Sequence, residues 1–407
     1  MRYGIIGAGL AGTALAMLLN ARGHEVVLVD RQAQPLPWLR RQEAAPFALA
    51  PAGATPAEWA SRLPRGHQEM LGPWHHFPAE QTLAWLRSLG LPIQSPAASP
   101  GAQAETAASA LVDLLGRELD RRGIEVRTGH NALEVATRPD GFQVWFEEGE
   151  PLIVEALVLA TGTGPHRGLA LAEAFGHTVQ PLSPSLLALK LKDARLRHLQ
   201  GQPPVEAEVR FADRPGLPAD RVERGQVEIL GHGIGGPAIA NLTAWAAPEL
   251  AGARYRFPFQ INWVPQYGGQ IARELSQRAL HHTKGVIAEE PQAGLPPKLW
   301  ARLVEAAKIG PQETWGSVDK RYLSTLVGQL TQGRFSANGY AMHKPEHTYA
   351  GGVSRDEIDF RTMGSRKHGR LYFAGELVDC DAILGGGNAL LALTHAQIIA
   401  ATAEQKG

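Results

Sequence analysis

The chain has one cysteine in 407 residues, Cys380. That excludes an internal disulfide framework and any metal site built on several thiolates, and it fits a reducing compartment, with the cytoplasm as the default. Charge of either sign is not in excess: Lys and Arg total 40, Asp and Glu total 40. No global field therefore steers the chain toward DNA or an anionic membrane, and neither is expected as a partner. No apolar run approaches the ~18 residues a spanning helix needs. Histidine is present, but His75-His76 and His281-His282 lack the i, i+4 spacing and the accompanying ligands of a metal site, so no metal is expected.

Glycine is what the chain has in quantity, 45 residues, and its placement carries the information. The opening RYGIIGAGLAGTALAMLLNARGHEVVLVDR reads as a short apolar strand, a glycine turn and a helix closed by Gly23, then a second strand from Val26 to Val29. Gly7, Gly9 and Gly12 form a G-x-G-x-x-G pattern, and the second strand delivers Asp30 eighteen residues beyond Gly12. Gly7 suits the tight turn, Gly9 the approach of backbone to a pyrophosphate, and Gly12 close packing of helix on strand. The helix N-terminus favours the phosphate charge, and the carboxylate suits a ribose diol. An acid at position 30 argues against a 2'-phosphate, which leaves FAD or NAD.

Further along, Glu105 to Arg122 carries Ala108, Leu111, Leu115 and Leu119 at helical spacing and is closed by Gly123. Strands are expected at IEVRTG, ALEVA and FQVWFEE, with a hairpin turn at Pro139-Asp140-Gly141. Ile153 to Ala160 is nearly continuous in apolar residues, as a strand buried on both faces would be, and it stops at Thr161-Gly162. This layout resembles the two-dinucleotide-fold flavoproteins, and it favours FAD over NAD as the resident cofactor. LYFAGELVDCDAILGGGN, from Leu371 to Asn388, resembles their second FAD segment. There Glu376 would hold the ribityl or pyrophosphate region, and the glycines would turn the last helix toward the flavin.

The stretch TYAGGVSRDEIDFRTMGSRKHGRLYFAGELVDCDAILGGGNALLALTHAQ is similar to the C-terminal signature of the BaiN-like (YhiN-like) flavoprotein family. It matches at Gly351, Gly352, Val353, Ser354, Glu357, Ile358, Thr362, Met363, Gly375, Glu376, Asp379, Gly385, Gly386 and Asn388. EILGHGIGGPAIANLT adds Gly233, Gly236, Pro237 and Ala238. The resemblance implies an α/β fold: an FAD-binding Rossmann domain with an inserted mainly β domain and a nested helical subdomain. The expected boundaries are 1–180 with 340–407, 181–265 and 266–339. Helical spacing at IARELSQRALHHT and PPKLWARLVEAA supports the helical part. Cofactor contacts are implied at Gly7, Gly9, Gly12, Asp30, Arg31, Ala132, Thr161, Gly162, Gly352, Gly375, Glu376, Gly386, Gly387 and Asn388.

The implied activity is reduction of an activated carbon–carbon double bond, in a small molecule such as a steroid or in a uracil of RNA, with NADH or NADPH as hydride donor. Two alternatives stay open, an FAD-dependent amine oxidase or dehydrogenase and a noncatalytic FAD-containing binding protein. The second is motivated by two departures from the family pattern. PWLRRQEAAPFALAPAG stands where a GRCN-type stretch is usual, and SPAASPGAQAET where GRxFP is. No catalytic acid is assigned.

Several conspicuous residues have two readings. Cys380 is a small buried residue before it is a redox thiol. Arg361, Arg366, Lys367, His368 and Arg370 are a solvated basic hairpin or a phosphate grip. Trp59, Trp74, His75, His76, Phe77 and Trp85 pack a core or line a cleft.

Overall fold

A computed structural model describes residues 1–41, 46–51, 54–94, 103–163, 168–212, 216–218, 220–341 and 348–404. The chain divides into two compact units, Met1–Ser183 with Thr348–Gly407, and Pro184–His347. Parts of the two divergent stretches named above, at 42–45, 52–53 and 95–102, lie outside the described residues, as do 164–167.

The first unit is built on a sheet whose strands run in the order Ile358–Asp359, Gly364–Ser365, Leu371–Phe373, Ala156–Leu159, Arg2–Ile6, Glu25–Val29, Glu125–Arg127. The last five are mutually parallel, with Phe373 opposite Leu159, Leu159 opposite Ile6, and Ile6 opposite Val29. The first four of these are buried and almost wholly apolar, as parallel strands covered on both faces are, whereas Glu125–Arg127 is a partly exposed edge. The Leu10–Asn20 helix packs against this sheet and against the last helix, Gly387–Glu404, which also lies along the Pro46–Pro51 strand. From Ala389 to Ala400 the last helix is buried at every residue, which explains why its sequence is apolar nearly all round.

Two elements differ from the sequence expectation. The apolar run at 153–160 is two strands. Leu152–Val154 closes an antiparallel meander with Ala132–Arg138 and Gly141–Phe146, whereas Ala156–Leu159 lies in the parallel sheet. The break falls at Glu155, whose carboxylate accepts the Arg2 N–H at 2.6 Å. Periodicity is blind to a strand that changes sheets while staying apolar. The helix expected from Glu105 starts at Ala108, because Gln103–Ala107 instead pairs with Pro46–Pro51.

The second unit holds an antiparallel seven-stranded sheet, ordered Gly333–Asn338, Arg256–Asn262, Val205–Phe211, Val222–Leu230, Gly233–Gly235, Ala188–Lys190, Tyr340–Ala341. The helices Ile271–His281, Pro297–Ala306 and Lys320–Gln332 share one core with it, in which Trp263, Trp300 and Trp315 are fully buried. Pro297 opens its helix at a position that tolerates a missing N–H. The strand Gly333–Asn338 lies inside the stretch expected to be helical and is an edge of this sheet.

The glycine triplet before the last helix has a fold-level cause. Gly386 has φ +86, and a Cβ there would stand 2.6 Å from Ala50 N and 2.7 Å from Leu49 C. The close approach is to the chain's own Pro46–Pro51 strand. Gly386→Ala is therefore expected to lose about 1–2 kcal/mol from the left-handed backbone alone, and more from displacing that strand. Equilibrium unfolding in urea measures it, and stability equal to the parent would contradict the contact.

Candidate functional site

Because the parallel strands are in register, their C-terminal ends meet at one edge, and main-chain bonds carry the alignment into the loops beyond. Gly7 N donates to Val29 O at 2.7 Å, Ala160 N to Ile6 O at 2.8 Å and Ala374 N to Leu159 O at 3.0 Å. This sets the glycine turn, Asp30, Thr161-Gly162 and Gly375-Glu376 side by side.

The three fingerprint glycines separate by cause. A Cβ on Gly7 would sit 2.3 Å from Ala160 O, and one on Gly12 would sit 1.9 Å from Gly7 O, so both are demanded by the fold. Gly9 has an ordinary φ of −73 and a built Cβ there meets nothing within 4 Å. The first helical bond of Leu10–Asn20 is Thr13 N to Gly9 O. The N–H groups ahead of it lie at the positive end of the helix dipole, an arrangement suited to an anion.

Asp30 follows the Glu25–Val29 strand, and its carboxylate is already engaged. Oδ2 accepts the Ala8 N–H at 2.7 Å and Oδ1 the Gln32 N–H at 2.8 Å. A carboxylate has about four lone-pair sites, so acceptor capacity remains for a diol. Arg31 beside it is exposed. The 128–130 turn closes on this segment through Gly129 N to Gln32 O and His130 N to Asp30 O. Ala132, two residues on, is buried in the meander. Gly162 has φ +70 and open space around it.

At the other end of the chain, Gly375 lies against Ala11 of the first helix and begins a single 3-10 turn, Gly375–Leu377, that carries Glu376. Burial pushes the Glu376 carboxyl up to about 7, and the neighbouring Asp381 charge adds to the effect. Gly352 packs on the backbone of this turn, a Cβ there falling 2.5 Å from Leu377 O. Gly387 abuts Ala382. Asn388 accepts the Ala382 N–H on Oδ1 at 2.8 Å, so its side chain ties the preceding loop to the helix start.

Sequence reasoning missed what holds the 379–383 loop from behind. Arg65 forms a buried ion pair with Asp381 Oδ2, and Asp381 N and Ile383 N donate to Arg65 O and Arg62 O. Arg355 bridges Asp379 Oδ2 and Glu69 Oε1, each at 3.1 Å, while Asp379 Oδ1 accepts the Gly351 N–H. Burial raises both aspartates, Asp379 against the pull of Arg355, and Asp381 to about 6 against that of Arg65. Asp379 was visible through the family pattern. Arg65 carried no local signal, because its partner is 316 residues away.

The conspicuous residues also find places. Cys380 is buried, with its thiol pushed well up by burial, and Gly66 leaves room for its sulfur. Trp59 and Trp74 are core, and Trp74 Nε1 donates to Thr394 of the last helix at 3.2 Å. His75 and His76 are exposed. His282 faces Glu290 at 3.0 Å. In the basic hairpin Arg361 pairs with Asp359, Lys367 with Glu357, and His368 contacts Phe175 O. No helix among the described residues is long and apolar enough to cross a membrane.

This edge defines a Rossmann-type FAD-binding fold of the oxidoreductase class. The chain belongs to the family described as HI0933-like protein Rossmann domain, whose model matches residues 2–402, and it is an FAD-dependent oxidoreductase. It is 26% identical over 398 residues to the ribosomal RNA dihydrouridine synthase of Escherichia coli, covering 94% of this chain and 93% of that one. It is 25% identical over 316 residues to the 3-dehydro-bile acid delta(4,6)-reductase of Clostridium scindens, covering 76% of each. Among solved structures, the 3-ketosteroid-delta4-(5alpha)-dehydrogenase of Rhodococcus jostii superposes with a TM-score of 0.51 at 12% identity, over 98% of this chain and 96% of that one, a likeness of fold.

Asp381 gives the site a pH signature. Its native carboxyl holds a proton to about 6, whereas an unfolded aspartate releases it near 3.9. The folded state therefore binds more protons across that window, and this group's contribution falls as pH rises from about 4 to about 6. Asp381→Asn is expected to flatten that part of the stability–pH curve. Thermal melts from pH 4 to 8 measure it, and an unchanged slope would place the proton elsewhere.

Proposed function

We propose that this enzyme reduces an activated carbon–carbon double bond in an unsaturated ring, either of a small molecule or of a pyrimidine carried by RNA, with NADH or NADPH as donor. The observation that carries the reaction class is the pair of relatives: one is named for making dihydrouridine in ribosomal RNA, the other for reducing the delta(4,6) positions of a 3-dehydro-bile acid. Bound FAD supplies the hydride-transfer chemistry.

The chain's own residues have binding and orienting roles in this proposal. The backbone around Gly9 and the N-terminus of the Leu10–Asn20 helix take the pyrophosphate, and Gly9 is glycine because a ligand fills the space its Cβ would need. Asp30 accepts from the ribose diol with the lone pairs that Ala8 and Gln32 leave open. Arg31, Ala132 and the Thr161-Gly162 turn border the same edge. Gly352 and Gly375 shape the turn that aims Glu376 at the ribityl region. Gly386, Gly387 and Asn388 hold the last helix so that its N-terminus approaches the flavin ring.

Two experiments test this. Asp30→Ala and Glu376→Ala are each expected to weaken FAD binding by about ten- to a hundredfold, the scale of a lost hydrogen bond to a charged group. Gly9→Ala is expected to weaken FAD with only a small loss in the melting temperature of the FAD-free chain, since glycine is preferred to alanine at this N-cap, whereas Gly12→Ala lowers both strongly. Titration of apoprotein beside thermal melts reads all four, and wild-type affinity in both acid variants would remove the assignment.

The direction of reaction is read separately. Anaerobic NADH or NADPH is expected to bleach the yellow holoenzyme, with colour restored by an enone or by uridine-containing RNA. Bleaching by amines with fast return in oxygen would replace the reductase with an oxidase. Normal FAD content with no response to any reductant would leave a binding protein.

A further inference from the structure

Among the buried polar residues of the last helix, His395 is the one with a titratable ring. His395 is 0% exposed, with Thr394 and Ala396 beside it in sequence. Its Nδ1 accepts the Gly375 N–H at 3.2 Å, and its Nε2 finds no partner among the described residues. An accepting Nδ1 puts the ring proton on Nε2. Burial pushes the pKa down to about 3, so the ring is neutral throughout the physiological range.

A buried, unpaired N–H carries a desolvation penalty, and an aliphatic side chain would fill the same space without one. Packing alone therefore does not account for histidine here; the bond to Gly375 does. Gly375 N–H follows the Leu371–Phe373 strand and opens the turn that carries Glu376, at a backbone angle of φ +69. Ala374 N is taken up by Leu159 O and Val378 N by Gly375 O, so the acceptor for Gly375 N itself comes from the helix.

We propose that His395 is a positioning residue for the cofactor: its Nδ1 fixes the Gly375 amide and thereby the direction in which the turn presents Glu376. This rests on Glu376 facing FAD. In this role the histidine acts through the turn, by its bond to the Gly375 amide.

Asparagine places its side-chain oxygen close to where Nδ1 lies, glutamine extends it toward Nε2, and leucine supplies volume with no acceptor. His395→Leu and His395→Gln are expected to raise the FAD dissociation constant about three- to tenfold, the range of one lost hydrogen bond, and to shift the flavin absorption envelope. His395→Asn is expected to restore both toward the parent. Fluorescence on dilution of the holoenzyme reads the dissociation constant, with a thermal melt beside it. If the leucine variant does not fold, the contrast between asparagine and glutamine decides.

Equal affinity and spectrum in all variants, with Glu376→Ala still weakened, would overturn the role of His395 and leave the FAD site standing. Unchanged affinity in Glu376→Ala would overturn both.

Discussion

The site depends on one constraint, the register of the parallel strands at the centre of the first unit. Ile6, Val29, Leu159 and Phe373 end level with one another because parallel main-chain bonds fix each strand against the next. A slip of one residue would turn every side chain to the opposite buried face, where it would meet packing shaped for a different side chain, and this fit specifies the register. Residues 7, 30, 161 and 376 come together at this edge although they are scattered along the whole chain.

Legibility followed locality. The strand, glycine turn, helix and acid from Arg2 to Asp30 were readable because each feature is explained by its neighbours: Gly12 by the carbonyl of Gly7, Asp30 by the strand that delivers it. Gly9 is the exception, since among the described residues nothing lies within 4 Å of a Cβ built there and only its place as the N-cap favours glycine. The family pattern made Glu376 and Asp379 visible at the far end. Illegible were the places where a distant partner decides. The Gln103–Ala107 strand exists because Pro46–Pro51 lies beside it, and the 152–159 run divides because Glu155 reaches the main chain of Arg2. Gly386 is glycine because of the backbone at 48–50, a contact that composition cannot reveal.

The loop from Val378 to Gly385 shows how such contacts accumulate where precision is needed. It is bonded to Val353 by Asp379 N, to the 62–65 segment by Asp381 and Ile383, and to the helix start by Asn388. Two of its carboxylates are buried against arginines, which is an inefficient way to gain stability, because desolvation offsets much of the attraction. What such pairs do supply is a defined geometry, since a buried charge without its partner is strongly unfavourable and few alternative loop conformations keep both pairs.

A polar framework of this kind also explains why the last helix is not a uniform apolar rod. Thr394 receives the Trp74 N–H, Gln397 receives the Thr82 hydroxyl, and His395 receives the Gly375 amide. Apolar contacts alone would let the helix slide or rotate by small amounts at little loss, since they are non-directional. Hydrogen bonds from three separate elements of the unit, at residues 74, 82 and 375, each accept only one axial and rotational setting. The start of that helix is the part that meets the glycine loop. Fixing its register along its length is thus the same physical act as fixing the position of its N-terminus.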